Sequence, residues 1–144
     1  MTAVLTAVGS AAIFGPVPIQ PATAASDLAA AGGEIDYRLA RESVLADYQS
    51  NQVGREDICD AHPELRRAAV HCGEPAGEEC PVCEAAELVW VRYVFGPRLP
   101  AHGRCISTAG ELTRLGARKG TFTCYVVEVC AACAWNHLRR SYLL

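Results

Sequence analysis

Val127-Glu128-Val129-Cys130-Ala131-Ala132-Cys133 places a CxxC pair directly after a β-branched run, and Cys80-Pro81-Val82-Cys83 places a second pair shortly before another, Leu88 to Phe95. Two residues between cysteines let a tight turn aim both sulfurs at one point, with backbone N–H groups free to hydrogen-bond the thiolates. Two such knuckles facing each other make the tetrahedral four-sulfur site preferred by structural zinc, with Zn–S near ~2.3 Å. The sequence therefore predicts one structural Zn²⁺ held by Cys80, Cys83, Cys130 and Cys133, with strands on either side holding the knuckles together as in a zinc ribbon. The 46 residues between the pairs exceed the commonest spacing of roughly 15–20, so an inserted helix is expected. Glycine often follows the second cysteine of a knuckle, where positive φ is useful. Glu84 and Ala134 stand there instead, which predicts a small backbone strain or a shifted turn. The competing reading is a redox dithiol, but a thioredoxin-like site needs its CxxC at a strand-to-helix junction of a βαβ unit, and no such pattern is present. A closed four-cysteine site leaves no open coordination position, so it contributes folding energy and does not catalyse. Its net charge of −2 could be offset by Arg139, Arg140 or Lys119.

Outward from the knuckles, Leu88–Phe95 and Thr121–Val129 read as strands, being β-branched and aromatic. Between them Gly96–Pro100 is loop, and Ser107–Leu115 suits the inserted helix, with Ser107 or Thr108 as N-cap and Gly116 as its stop. Trp135–Leu143 fits a third strand and a terminal helix equally well. Upstream, Glu74–Glu79 reads as a polar linker holding Pro75 and Gly77. Ile35, Leu39, Leu45 and Tyr48, with Val44 beside them, approximate helical spacing from near Asp36 until Gln52-Val53-Gly54. Arg55–Cys59 is a short turn, and His62-Pro63 opens a second helical stretch, Glu64–His71, that stops at Gly73. The expected fold is α+β: N-terminal helices followed by a small antiparallel zinc-ribbon-like sheet with an inserted short helix. The expected division is a disordered leader over 1–33, a helical segment over 34–79 and a zinc-ribbon-like domain over 80–144.

The bulk numbers fit this frame. A chain of 144 residues with 51% hydrophobic and 20% charged side chains allows one small globular domain plus a tail, and so small a core often needs a metal or disulfide staple. The net charge of −3 hides a split. Residues 1–87 carry fourteen acidic and five basic side chains, whereas residues 88–144 carry two and eight. The basic half points either to a nucleic-acid or acidic-partner face or to two halves that neutralise each other in the fold. No apolar stretch reaches the ~18–20 residues needed to span a bilayer. The start imitates a secretion signal, with Ala3–Phe14 apolar and Ala22-Thr23-Ala24 resembling a cleavage site. However, no Lys or Arg precedes Arg38, and Gly15-Pro16-Val17-Pro18 breaks the apolar run. A cytoplasmic location is expected, where a reducing medium favours metal over disulfides.

The other four cysteines, Cys59, Cys72, Cys105 and Cys124, lack paired spacing. Cys124 shares a strand face with Phe122 and Val126 and reads as a buried small hydrophobe. Cys59 and Cys72 could form a second metal site with His62 and His71, although isolated Cys and His on helices are more often packing residues. His102 and His137 read as structural. Were His137 to replace one cysteine, the site would be Cys₃His and still structural. No Ser/His/Asp order, P-loop, GxGxxG or HExxH occurs, so no catalytic residue is expected.

The run Val127-Glu128-Val129-Cys130-Ala131-Ala132-Cys133-Ala134-Trp135-Asn136-His137-Leu138-Arg139-Arg140-Ser141-Tyr142 resembles the C-terminal signature of a small, uncharacterised actinobacterial zinc-ribbon-like family, a domain of unknown function. Cys80-Pro81-Val82-Cys83 and Tyr93-Val94-Phe95-Gly96 fit it too, and the likeness covers about residues 36–144. The resemblance implies the metal and the fold, and no activity. Three functions are open to such a chain. The first is a non-enzymatic adaptor for a larger assembly such as the transcription or translation machinery, with Trp90, Tyr93, Tyr125 and Trp135 either anchoring a partner or forming the core. The second is direct nucleic-acid binding through an exposed stripe of Arg92, Arg104, Arg114, Arg118, Lys119, Arg139 and Arg140, against which the pI of about 5.8 weighs. The third is a redox-responsive switch in which oxidation of the thiolates releases zinc.

Overall fold

A computed structural model describes residues 34–144; the leader lies outside the described residues. Strand β1 (Ile35–Asp36) leads into helices α1 (Arg38–Gln49), α2 (Arg55–Ile58) and α3 (Pro63–Cys72). Then come β2 (Glu74–Glu79), β3 (Glu87–Phe95), β4 (Arg104–Ile106), α4 (Ala109–Gly116), β5 (Thr123–Val129) and β6 (Asn136–Leu143). The α+β class and the helices-before-sheet order are as the sequence suggests. His62 and Thr108 cap α3 and α4, each accepting a hydrogen bond from a first-turn backbone N–H.

The sheet is larger than the expected ribbon. Six antiparallel strands run in the order β1-β6-β5-β3-β2, with β4 also on β3. Strand β3 is long enough for two short partners to share one edge, β2 against Glu87–Trp90 and β4 against Arg92–Val94. The stretch Glu74–Glu79, read above as a linker, is therefore a strand, and Trp135–Leu143 resolves to strand β6. Strands β1 and β2 bring residues 34–79 into the same sheet as residues 80–144.

Alternation along β3 sorts the core. Val91, with Val127, Val129 and Leu138, faces Ala61 and the α3 residues Leu65 and Ala69. On the opposite face Val94, Cys124 and Val126 pack with Ile106, Phe122 and Leu115 of α4. A third cluster at one end of the sheet joins Leu45 of α1, Ile58 of α2, Leu88 and Trp135 to the buried Cys80 and Cys130. Helix α1 lies at a different rotation from that suggested by its apolar pattern. Leu39 is 82% exposed, while Arg41 and Leu45 are buried.

Arg41 is inward because of Glu128, which is fully buried on β5. Arg41 Nε donates to both carboxylate oxygens at 2.9 and 2.8 Å. Arg139 Nη1 adds a contact at 2.9 Å and the Trp135 indole N–H one at 2.6 Å. A bulge between Val126 and Val127 adds Arg139 as an extra residue in β6 and turns it onto Glu128. A carboxylate shut off from bulk solvent thus has two guanidiniums and an indole, which satisfies it.

Candidate metal centre

The first knuckle fills the turn between β2 and β3, the second the turn between β5 and β6. Both are closed by the same backbone bond across four residues: Glu84 N–H to Cys80 C=O at 3.1 Å, and Ala134 N–H to Cys130 C=O at 2.9 Å. Each base is tied again, Cys80 N–H to Ala86 C=O and Cys130 N–H to Trp135 C=O, both at 2.8 Å. These turns require a left-handed residue after the second cysteine. Glu84 and Ala134 take it, with φ of 54° and 74°, which is the strain expected for non-glycine residues there. Backbone N–H groups point at the sulfurs: Val82 at Cys80 and Cys133 at Cys130, both 3.4 Å, and Ala85 at Cys83, 3.5 Å.

All four sulfurs lie within 4.8 Å of one another, so Cys80, Cys83, Cys130 and Cys133 could hold a metal ion. The closest approaches are between knuckles, Cys80 to Cys133 and Cys83 to Cys130, each 3.7 Å. A tetrahedron with arms of ~2.3 Å has sulfur–sulfur edges of ~3.8 Å. Cys80 and Cys130 are buried, Cys83 and Cys133 half-buried, and no disulfide links any of the eight cysteines. In the metal-free cluster, burial pushes the Cys80 and Cys133 thiols up to about 12, while the Ala85 N–H brings Cys83 down to about 7.

A fifth thiol stands beside the four. Cys59, at the end of α2, donates its S–H to Cys133 Sγ at 3.6 Å and is hydrogen-bonded by the Arg55 side chain. The segment after it is fixed to the second knuckle by Ala61 N–H to Ala134 C=O at 3.0 Å and by Asn136 Nδ2 to Asp60 Oδ1 at 3.1 Å. Sequence spacing gave no sign of this, because Cys59 has no cysteine near it in the chain. The alternative grouping of Cys59, Cys72, His62 and His71 does not form. His62 Nδ1 caps α3, and Cys72 hydrogen-bonds Cys105 across the α3–β4 contact. His137 is buried, with Nδ1 against Leu138 C=O at 2.8 Å and its ring stacked on Trp135, and burial lowers its pKa. His102 lines a groove with His71 and Cys105.

Of the cations expected beside the sulfurs, Arg139 and Arg140 are engaged elsewhere. Arg139 pairs with Glu128 and Glu78 and Arg140 with Glu34 at 3.7 Å, whereas Arg55 interacts with Cys59 and Arg66 Nη2 donates to the Ala131 C=O of the second knuckle at 2.7 Å. Of the remaining basic residues, Arg92 pairs with Glu74 and Arg104 with Glu111, whereas Arg114, Arg118 and Lys119 have no carboxylate partner among the described residues. Trp135 is core, in the cluster beside the knuckles, and Tyr93 and Tyr125 pack half-buried against the separate cluster on the α3 side. Trp90 floors a cleft of about 270 Å³ beneath Arg139 and Arg140, where its indole N–H has no partner among the described residues. No helix among the described residues is long and apolar enough to cross a membrane.

Residues 30–144 match the model of DUF5318, a family of unknown function, and the chain belongs to that family. It is similar to the uncharacterized proteins Mb0050 of Mycobacterium bovis and Rv0049 of Mycobacterium tuberculosis. Each is 44% identical over 110 residues, covering 76% of this chain and 80% of the relative. No solved structure matches the chain.

Proposed function

We propose that this DUF5318 chain is a non-enzymatic, zinc-stapled scaffold of the cytoplasm that presents its sheet to a protein partner in a larger assembly. The observation that carries the reading is the pair of matched knuckles whose sulfurs approach at 3.7 Å, the edge length of a ZnS₄ tetrahedron. Four protein thiolates complete that shell, leaving no position for water or substrate, which favours a structural over a catalytic metal. Assemblies of the transcription or translation kind enter by analogy with zinc ribbons, a fold-level warrant.

A protein partner is favoured over nucleic acid by the ion pairs. Arg92, Arg104, Arg139 and Arg140 are each neutralised by a glutamate of the same chain. That leaves three unpaired cations of the expected stripe to meet a polyanion. Metal analysis of the purified chain is expected to give one zinc per molecule, and cobalt substitution the sulfur-to-metal charge-transfer bands of a tetrahedral thiolate site. Iron in place of zinc would assign the centre to electron transfer. A metal-free chain of undiminished stability would overturn the reading. Binding to duplex DNA or RNA that weakens steeply with salt would replace the protein partner with nucleic acid.

A further inference from the structure

Among the described cysteines, Cys59 alone touches the quartet without being one of its four mutually close sulfurs. Its neighbour Cys133 is half-buried, whereas Cys80 and Cys130 are buried, so Cys133 is more open to a small oxidant than those two. Cys83 is also half-buried, but the sulfurs it hydrogen-bonds all belong to the quartet. The Cys59–Cys133 approach is held by one backbone bond, Ala61 N–H to Ala134 C=O, and one side-chain bond, Asn136 Nδ2 to Asp60 Oδ1, which fix the Cys59 segment on the second knuckle. The two sulfurs need to close from 3.6 Å to the ~2.05 Å of a disulfide.

We propose that Cys133–Cys59 is a peroxide-modification site, with Cys133 the oxidised sulfur and Cys59 the resolving thiol that captures it as a disulfide and opens the metal centre. The inference rests on the proposed occupancy of the four sulfurs by zinc. A coordinated thiolate is deprotonated already, so Cys133 needs no base. Its sulfur attacks one oxygen of hydrogen peroxide, the O–O bond breaks, and the departing hydroxide takes a proton from solvent to leave as water. Sulfur is oxidised to Cys133–SOH and the peroxide is reduced. The Cys59 sulfur then attacks the sulfenic sulfur, the S–O bond breaks, and the thiol proton leaves with the hydroxyl as a second water. Cys133 is now a disulfide sulfur without anionic charge. The metal keeps three thiolates, and its hold on the chain weakens. A dithiol reductant restores both thiols.

The test uses the metal-loaded full chain, titrated with hydrogen peroxide. Zinc release is followed with a chromophoric zinc indicator, and thiol pairs are mapped by mass spectrometry after alkylation. A Cys59–Cys133 disulfide is expected to accumulate in step with released zinc, and both changes are expected to reverse with dithiol. Cys59→Ser is expected to keep its zinc before oxidation and to release it about tenfold more slowly, its Cys133 passing on to sulfinic acid. Cys59→Ala checks the same outcome should the serine variant fold poorly. A first disulfide within either CxxC pair, or between Cys72 and Cys105, with release from Cys59→Ser at the parent rate, would overturn the proposal. Should the purified chain hold no metal, the scaffold reading falls on that measurement alone. Mapping of the oxidised metal-free chain then decides the thiol pairing, and absence of the Cys59–Cys133 bond sinks it.

Discussion

Glu128→Gln keeps the shape of the fully buried side chain and removes the one negative charge that both Arg41 and Arg139 reach inside the fold. The amide accepts at one oxygen only, and its NH₂ opposes guanidinium N–H groups, so at least one of the short contacts becomes donor against donor. Removing one partner of a buried ion pair costs about 3–5 kcal/mol, because the remaining charge stays without a counter-ion. Here the lower end applies. Arg41 keeps Glu42 at 3.0 Å, although that carboxylate is exposed, and Arg139 keeps Glu78. A loss of about 3 kcal/mol is expected, which for a domain of roughly 100 residues lowers Tm by about 12–20 °C. Urea unfolding of the metal-loaded chain measures it, with Arg41→Met and the double variant completing a cycle. The double variant is expected to be more stable than the sum of the single losses by about 1–3 kcal/mol. A loss below about 1 kcal/mol for Glu128→Gln, or strict additivity, would show that Arg41 is not held inward by this carboxylate.

Glu84→Gly relieves the left-handed backbone of the first knuckle at an exposed position, and the holo chain is expected to gain about 1 kcal/mol in denaturant unfolding. Gly73→Ala does the reverse. The added Cβ would lie 2.0 Å from Val89 Cγ1 and 2.3 Å from the Ala69 carbonyl oxygen, so a loss of about 2–3 kcal/mol is expected in the same assay. Metal binding should be proton-coupled. With Cys80 and Cys133 at about 12, both are protonated in the metal-free chain at neutral pH. Calorimetric titration in buffers of different ionisation enthalpy should show at least those two protons released per zinc, and affinity should rise with pH through the neutral range.

Where the sequence was silent, the reasons lie in particular residues. The knuckles, α1, α3, α4, β3 and β5 were legible because each has a local cause: a cysteine spacing, an apolar period, or a cap. Strand β2 was hidden because it is an edge. Among the described residues it pairs only with β3, and Glu74, Glu78 and Glu79 need bury nothing for their backbone to join a ladder. Strands β1 and β4 have two and three residues, too few for any period to show. In β6 the bulge inserts Arg139, so Leu138 and Ser141 share a face three residues apart, a helical spacing within a strand. The inward turn of Arg41 was unreadable for a different reason: its partner is 87 residues away. The same holds for Cys59, which meets Cys133 across 74 residues.

The acidic and basic halves meet in the same way. Arg92–Glu74, Arg139–Glu78 and Arg140–Glu34 each join a base of the last 57 residues to an acid of the first 87, so part of the charge split is spent within the fold, and Arg41–Glu128 joins the halves with the signs reversed. Trp135 connects this network to the knuckles. Its carbonyl accepts from Cys130 N–H, and its indole donates to Glu128, which Arg41 of α1 holds from the other side. A change at the second knuckle therefore reaches α1 through one residue and one carboxylate. This is why opening the cluster at Cys133 would alter more than a turn: the base of that knuckle and the anchor of the first helix meet at Trp135.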